Sequence, residues 1–204
     1  MDFYEAINRR HMVREWKEQD VPQEILERIL AAGLKAPTND HQRNWAFIVL
    51  HDRQEKETAL QFAKVWSAKQ AENKTVSSCG TIPQRMYAYA MPRQYSMLMN
   101  APYVVILFFK DAGIFGAKTV NRLNSFASIW CVAENIFLAV AAEGLACSMR
   151  IPVGEEGTCV AAALGVPEGY VMSCYIGIGY PEENAPAVLQ VEKSLTETLH
   201  FGKW

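Results

Sequence analysis

At 204 residues with 50% hydrophobic content, the chain can bury a sizeable core, and its length suits one domain spanning residues 1–204. A formal net charge of −2 and a pI near 6.1 give no broad attraction to nucleic acid or to a membrane surface, so any anion site is local. The opening Met1-Asp2-Phe3-Tyr4-Glu5 carries no basic leader ahead of an apolar stretch, which makes cytoplasmic residence the expectation.

From Pro22 to Leu34, apolar residues at Ile25, Leu26, Ile29, Leu30 and Leu34 recur at spacings of three and four and predict an amphipathic helix. Ala36-Pro37-Thr38-Asn39-Asp40-His41 breaks that pattern, because proline disfavours helix in the residue before it and Asn and Asp favour turns. Trp45 to Leu50 is a short apolar run with β-branched residues, the pattern of a buried strand. Helical character returns from Glu55 to Lys69. Residues 70–100 predict no firm secondary structure. Polar residues, Gly80, Pro83 and Pro92 alternate there with Met86, Tyr87, Tyr89, Met91, Tyr95, Met97 and Met99, which reads as a variable lid or subunit-interface segment or as substrate contacts.

Ala101 to Lys110 contains a second buried strand, Tyr103 to Phe109. Asn121 to Glu143 predicts a long, mostly apolar helix. Asn124, Ser128, Glu134, Asn135 and Glu143 interrupt it, so a core or dimer-interface helix is the reading rather than a membrane span. Gly144 ends that helix, and a short strand or extended turn follows. A short helix over Glu155 to Leu164 and a third strand from Tyr170 into Pro181 complete the ordered pattern. The arm from Ala185 to Trp204 ends in Phe201 and Trp204, aromatics that imply packing against something, including a second subunit.

Five cysteines, Cys79, Cys131, Cys147, Cys159 and Cys174, form no CxxC pair and read mainly as reduced core residues. The histidines, His11, His41, His51 and His200, form no HxxxH or HxH pair, so no metal site is expected. Arg9-Arg10-His11-Met12-Val13-Arg14 packs three arginines and a histidine into six residues. Such a cluster either clamps a phosphate, whose oxygens match guanidinium donors, or is a solvated helix end. Neither GxGxxG nor GxxxxGK[ST] occurs, so a bound nucleotide would depend on those side chains.

In the order of these elements the chain resembles the nitroreductase family of flavoenzymes. Arg10-His11-Met12-Val13-Arg14 resembles the family's Arg-Arg-Ser-x-Arg signature, and Ala36-Pro37-Thr38 with Trp45-Ala46-Phe47-Ile48-Val49 its Ala-Pro-Ser loop and strand entry. Ala133-Glu134-Asn135 through Gly144-Leu145, Leu164-Gly165-Val166-Pro167, and Ile178-Gly179-Tyr180-Pro181 resemble its central helix and exit, its Leu-Gly-x-Pro turn and its late strand end.

The resemblance implies an α+β fold, a central mixed or antiparallel sheet flanked by helices, in an intertwined homodimer that holds FMN between subunits. Carried over by position, Arg10, His11 and Arg14 become phosphate and ribityl ligands, with Met12 a departure where the family has serine. Pro37, Thr38 and Asn39 would line the flavin from the second subunit, with His41 where the family often has asparagine. Ile151, Pro152, Val153 and Gly154 fall where backbone groups approach the flavin edge, Gln94 supplies an amide for the pyrimidine, and Lys193 a cation for the phosphate. Arg43 reads either as a contact for an anionic substrate or as a surface ion pair.

The activity implied is ping-pong transfer of electrons from NAD(P)H, through FMN, to a small electron-poor acceptor such as a nitroaromatic, a quinone or a conjugated compound. His41 is either a proton donor or a loop-stabilising residue. A different class of function, a flavin sensor or store without turnover, fits the same composition.

Overall fold

The computed structural model describes residues 1–72, 80–111, 113–186 and 188–204. Its elements in chain order are α1 (Phe3–Arg9), α2 (Gln23–Gly33), β1 (Trp45–Leu50), α3 (Arg53–Ala59), α4 (Gln61–Glu72), α5 (Ile82–Ala90), α6 (Ser96–Met99), β2 (Tyr103–Lys110), α7 (Asn124–Ala142), β3 (Ala146–Arg150), α8 (Glu156–Ala163) and β4 (Tyr170–Gly179). The four strands form one sheet in the order β1-β2-β4-β3, and every pairing is antiparallel, which narrows the expected mixed or antiparallel sheet to the second form.

β2 lies inside the sheet and is buried on both faces, which explains its unbroken apolar run. Val105, Leu107 and Phe109 face one core with Ile29 of α2 and Ile129, Val132, Ile136 and Val140 of α7. Val104, Ile106 and Phe108 face a second core with Leu60, Met97, Leu98, Val160 and Tyr175. Against β4 the register slips at Leu107/Phe108, and the Ser173 hydroxyl donates to the Leu107 carbonyl at 3.1 Å within the irregularity.

α7 is long and apolar enough to cross a membrane, but Ile129, Val132, Ala133, Ile136, Phe137 and Val140 are buried against the sheet and α2. The close approach of α2 explains Gly33, where a Cβ would stand 2.8 Å from Ile136 Cγ1. Gly144 has φ +77°, the left-handed conformation that ends α7 and turns the chain into β3.

Several expectations are corrected. The helix expected over Glu55 to Lys69 is two helices broken at Leu60. The segment 70–100, expected to be irregular, holds the end of α4, all of α5 and α6, and a 3₁₀ turn over Met91–Arg93; residues 73–79, Cys79 among them, lie outside the described residues. α5 starts on a reciprocal cap, in which the Gln84 N–H donates to Thr81 Oγ1 while Gln84 Oε1 accepts from the Thr81 N–H at 2.9 Å, and Pro83 fits the first turn. The stretch after Gly144 is a true strand. Of the cysteines, Cys147 and Cys174 are core residues, whereas Cys131 is half-buried and Cys159 exposed.

Candidate cofactor and substrate site

The basic cluster leaves α1 and becomes a strap along the sheet edge. Met12 bridges Cys147 of β3 in parallel fashion, the Val13 N–H donates to the Cys147 carbonyl at 2.9 Å, and Trp16 bridges Pro181. Val13 and Trp16 anchor the strap by burial, and the Trp16 indole N–H donates to the Met97 carbonyl at 2.7 Å. Met12 therefore contributes backbone pairing at the position where the family signature has serine.

The strap divides the expected ligands between two cavities. Arg10 and His11 line one of about 370 Å³, with Phe137, Val140, Gly144 and Ala146 behind them. Arg14 lines another of about 470 Å³, together with Trp66, Met86, Tyr87, Ala90, Met91, Gln94, Met149, Arg150, Ile151 and Val153. Arg10 and His11 thus line a different cavity from Arg14. Arg14 is half-buried, and its Nε is shielded from solvent with no hydrogen-bond partner. Burial pulls its pKa below the usual arginine value, the cost of holding a cation that no carboxylate pairs among the described residues. Gln94 is buried on the wall of this second cavity.

Arg150 borders the same cavity in the opposite electrostatic condition. It is 2% exposed and grips Glu156 twice, Nε to Oε1 at 3.0 Å and Nη2 to Oε2 at 2.6 Å. Glu156 also accepts from the Tyr175 hydroxyl at 3.1 Å and from the Val153 N–H at 3.0 Å, while the Trp66 ring lies 4.8 Å from the Arg150 guanidinium carbon. This network pins the expected flavin-edge segment. Pro152 has no N–H and that of Val153 is already used, so Ile151 and Gly154 are the amide donors the segment can offer.

The Pro37-to-Asn44 loop is apart from both cavities. Thr38, Asn39, Asp40, Gln42 and Asn44 line a polar recess of about 250 Å³ with Ser125 and Ser128. Asp40, His41 and Arg43 all have positive φ, 48°, 56° and 49°, an uncommon conformation for residues with a side chain. Side chains hold it: the Asn39 N–H donates to Ser128 Oγ at 2.9 Å, Asn124 Nδ2 to Asn39 Oδ1 at 3.3 Å, and the Arg43 N–H to Thr38 Oγ1 at 3.2 Å. Pro37 and His41 are exposed, and Arg43 reaches back to the Leu34 carbonyl at 3.3 Å instead of forming an ion pair. Lys193 is exposed on the C-terminal arm and lines none of these cavities. Within one chain the aromatic end of the arm is not pinned: Phe201 and Trp204 are 86% and 99% exposed.

Glu15, Trp66, Arg93 and Glu156 border or brace these cavities without having been singled out from the sequence, and Tyr89 was read only as part of the 70–100 segment. A carboxylate buried against an arginine six residues away, or a tyrosine contacting a residue 74 positions earlier, leaves no local signal.

Comparisons of sequence and structure find similar proteins. An iodotyrosine deiodinase from Nematostella vectensis is 23% identical over 205 residues, covering 97% of this chain and 74% of that protein. A putative NADH dehydrogenase/NAD(P)H nitroreductase from Methanothermobacter thermautotrophicus is 24% identical over 208 residues, covering 100% of this chain and 88% of that protein. The crystal structure of oxidised iodotyrosine deiodinase bound to FMN and 3-iodo-L-tyrosine superposes with a TM-score of 0.78 at 17% identity, covering all of both chains. Residues 7–180 match the Nitroreductase family, from within α1 to just past β4, and the chain belongs to that family.

Proposed function

We propose that this chain is an FMN-dependent oxidoreductase that takes electrons from NAD(P)H and passes them in ping-pong fashion to a small electron-poor acceptor, working as a homodimer. The observation that carries the reading is Arg14: a half-buried cation whose Nε has no partner, beside buried Gln94 on an apolar-walled cavity of about 470 Å³. A cation kept unpaired in such a place is accounted for by a ligand that supplies acceptors.

FMN, when bound, supplies a ring that accepts hydride from one partner and delivers electrons to the next. Arg10 and His11 would hold its phosphate end, with Arg14, Gln94 and the amides of Ile151 and Gly154 toward the ring. Pro37, Thr38 and Asn39 would reach it from the second subunit, and Lys193 from the arm. The exposed Phe126 and half-buried Leu138 of α7 and the exposed Phe3, Tyr4 and Ile7 of α1 offer apolar surface for that subunit.

Similar proteins named as deiodinases raise an amino-acid substrate as a rival. An α-amino acid brings an ammonium group that needs an anion, and no acidic side chain lines the Arg14 cavity among the described residues. Its apolar wall of Trp66, Met86, Tyr87, Met91 and Met149 favours an uncharged aromatic acceptor.

The test is steady-state oxidation of NADH and NADPH by FMN-loaded protein with menadione, a nitroaromatic or 3-iodo-L-tyrosine as acceptor. Turnover with either of the first two supports the reading. Turnover with iodotyrosine alone overturns the substrate class, FMN retention without turnover leaves a sensor or store, and failure to bind FMN removes the cofactor. Sedimentation with joint protein and flavin detection checks that dimer and FMN are lost together on dilution.

A further inference from the structure

Around Arg14 the strap and α5 meet through a cluster of four side chains. The Tyr89 hydroxyl donates to Glu15 Oε1, and Arg93 Nε approaches the same oxygen at 3.7 Å. The Arg93 guanidinium lies over the Tyr89 ring at 4.2 Å and also donates to the Tyr89 carbonyl at 2.9 Å. Arg14 approaches that ring at 5.6 Å. Two cations and one carboxylate therefore share one tyrosine, but the carboxylate is committed to Tyr89 and Arg93. Arg14, its sequence neighbour, is left without it.

We infer that Tyr89 is a positioning residue that holds the Glu15 carboxylate away from Arg14, so that the Arg14 guanidinium stays available to FMN. The inference rests on the cofactor reading above. Glu15 is the nearest carboxylate by sequence to a cation that has lost hydration, and a carboxylate with no other hydrogen-bond donor falls onto such a cation. Tyr89 supplies the competing donor, and Arg93 supplies a competing charge. Burial and the Glu15 contact both raise the Tyr89 phenol, to about 12, so the hydroxyl keeps its proton to donate throughout the neutral range. The same contact ties the strap to α5, which carries Met86, Tyr87 and Ala90 on the cavity wall. Loss of the hydroxyl thus acts on charge first, because the ring that packs against Arg14 and Arg93 is kept in Tyr89→Phe.

The experiment compares FMN dissociation constants, from quenching of flavin fluorescence, for the wild type, Y89F, E15Q and the Y89F/E15Q double variant. Y89F frees a charged Glu15 to compete for Arg14 and is expected to weaken FMN about tenfold, the size of one charge-assisted contact. Y89F/E15Q has no carboxylate to release and is expected to return to within about twofold of the wild type. Circular dichroism melts confirm that all four proteins are folded at the titration temperature. A Y89F constant equal to the wild type overturns the inference, as does a double variant no tighter than Y89F, which would assign Tyr89 to packing alone. A wild type that binds no FMN fails the cofactor reading itself and is distinguished by that first titration.

Discussion

Replacing Glu156 with alanine is the most exacting test of how this cavity is built. Glu156 is fully buried and accepts four hydrogen bonds, two from Arg150, one from the Tyr175 hydroxyl and one from the Val153 N–H. Truncation leaves the Arg150 guanidinium, 2% exposed, without its counter-charge. Breaking a buried pair from one side costs about 3–5 kcal/mol, and at this chain length each kcal/mol moves Tm by about 2–4 °C, so E156A is expected to melt about 6–20 °C below the wild type. The measurement is a circular dichroism melt of cofactor-free protein at fixed concentration, since ligand and subunit association both raise Tm by mass action. A paired replacement, R150M/E156L, removes both charges and is expected to recover most of the loss. In both variants the Val153 amide has lost its acceptor and the Ile151–Gly154 segment its tether, so FMN retention falls in the double variant even though its Tm recovers. An E156A melt within about 2 °C of the wild type, well under the cost of an orphaned buried charge, refutes the reasoning.

Arg14→Ala is expected to weaken FMN binding about ten- to a hundredfold, whereas Arg9→Ala, which removes an exposed partner of Glu5 at 3.4 Å at the rim of the Arg10 cavity, is expected to weaken it less; equal constants for the two variants would displace the strap register. Burial pushes the Cys147 and Cys174 thiols up to about 12, so at pH 8 a thiol-specific disulfide reagent is expected to label exposed Cys159 and to spare both until denaturant is added. Prompt labelling of Cys147 or Cys174 in the native protein contradicts their burial. Burial, then the Glu15 contact, raise the Tyr89 phenol from 10.0 to about 12, so the folded protein retains a proton that the unfolded chain loses in that interval. The contribution of Tyr89 is complete below pH 10 and fades as pH climbs toward 12; a wild-type melt no more sensitive to that window than the Y89F melt would refute it.

What was legible in the sequence was what repeats along it. The apolar run Tyr103–Phe109 became a strand because continuous burial on both faces writes itself as continuous hydrophobicity, whereas Trp45–Leu50, expected to be buried, became an edge strand with Ala46 and Val49 exposed and Leu50 alone fully buried. The α2 and α7 patterns were read as helices for the same reason. α5 was not read, because Met86, Tyr87 and Tyr89 mark a cavity wall and a network and so give no clean amphipathic stripe. Its start was nevertheless written in Thr81-x-x-Gln84 with Pro83, a capping signal that outweighs a blurred face. The division of Arg10 and His11 from Arg14 was also hidden, since it depends on where the strap crosses β3.

Arg14 and Arg150 show why charges at a site resist sequence reading. Both border one cavity, but their sequence neighbours differ: Arg14 is followed directly by Glu15, whereas Arg150 meets its first glutamate, Glu155, only five residues on. A local rule of pairing would therefore make Arg14 the neutralised residue and Arg150 the free one. The fold reverses this. Glu15 is turned to Tyr89 and Arg93, while the chain beyond Gly154 doubles back through α8 to deliver Glu156 into the core against Arg150. Arg150, its charge balanced, can be buried and used to fix the Ile151–Gly154 segment. Arg14, in no salt bridge among the described residues, is less deeply buried and stops at the cavity wall with an unpartnered Nε. Which arginine is locked in an ion pair and which is left open on the cavity wall is decided by the placement of two carboxylates, and that placement exists only once the sheet has brought α5, α8 and the strap together.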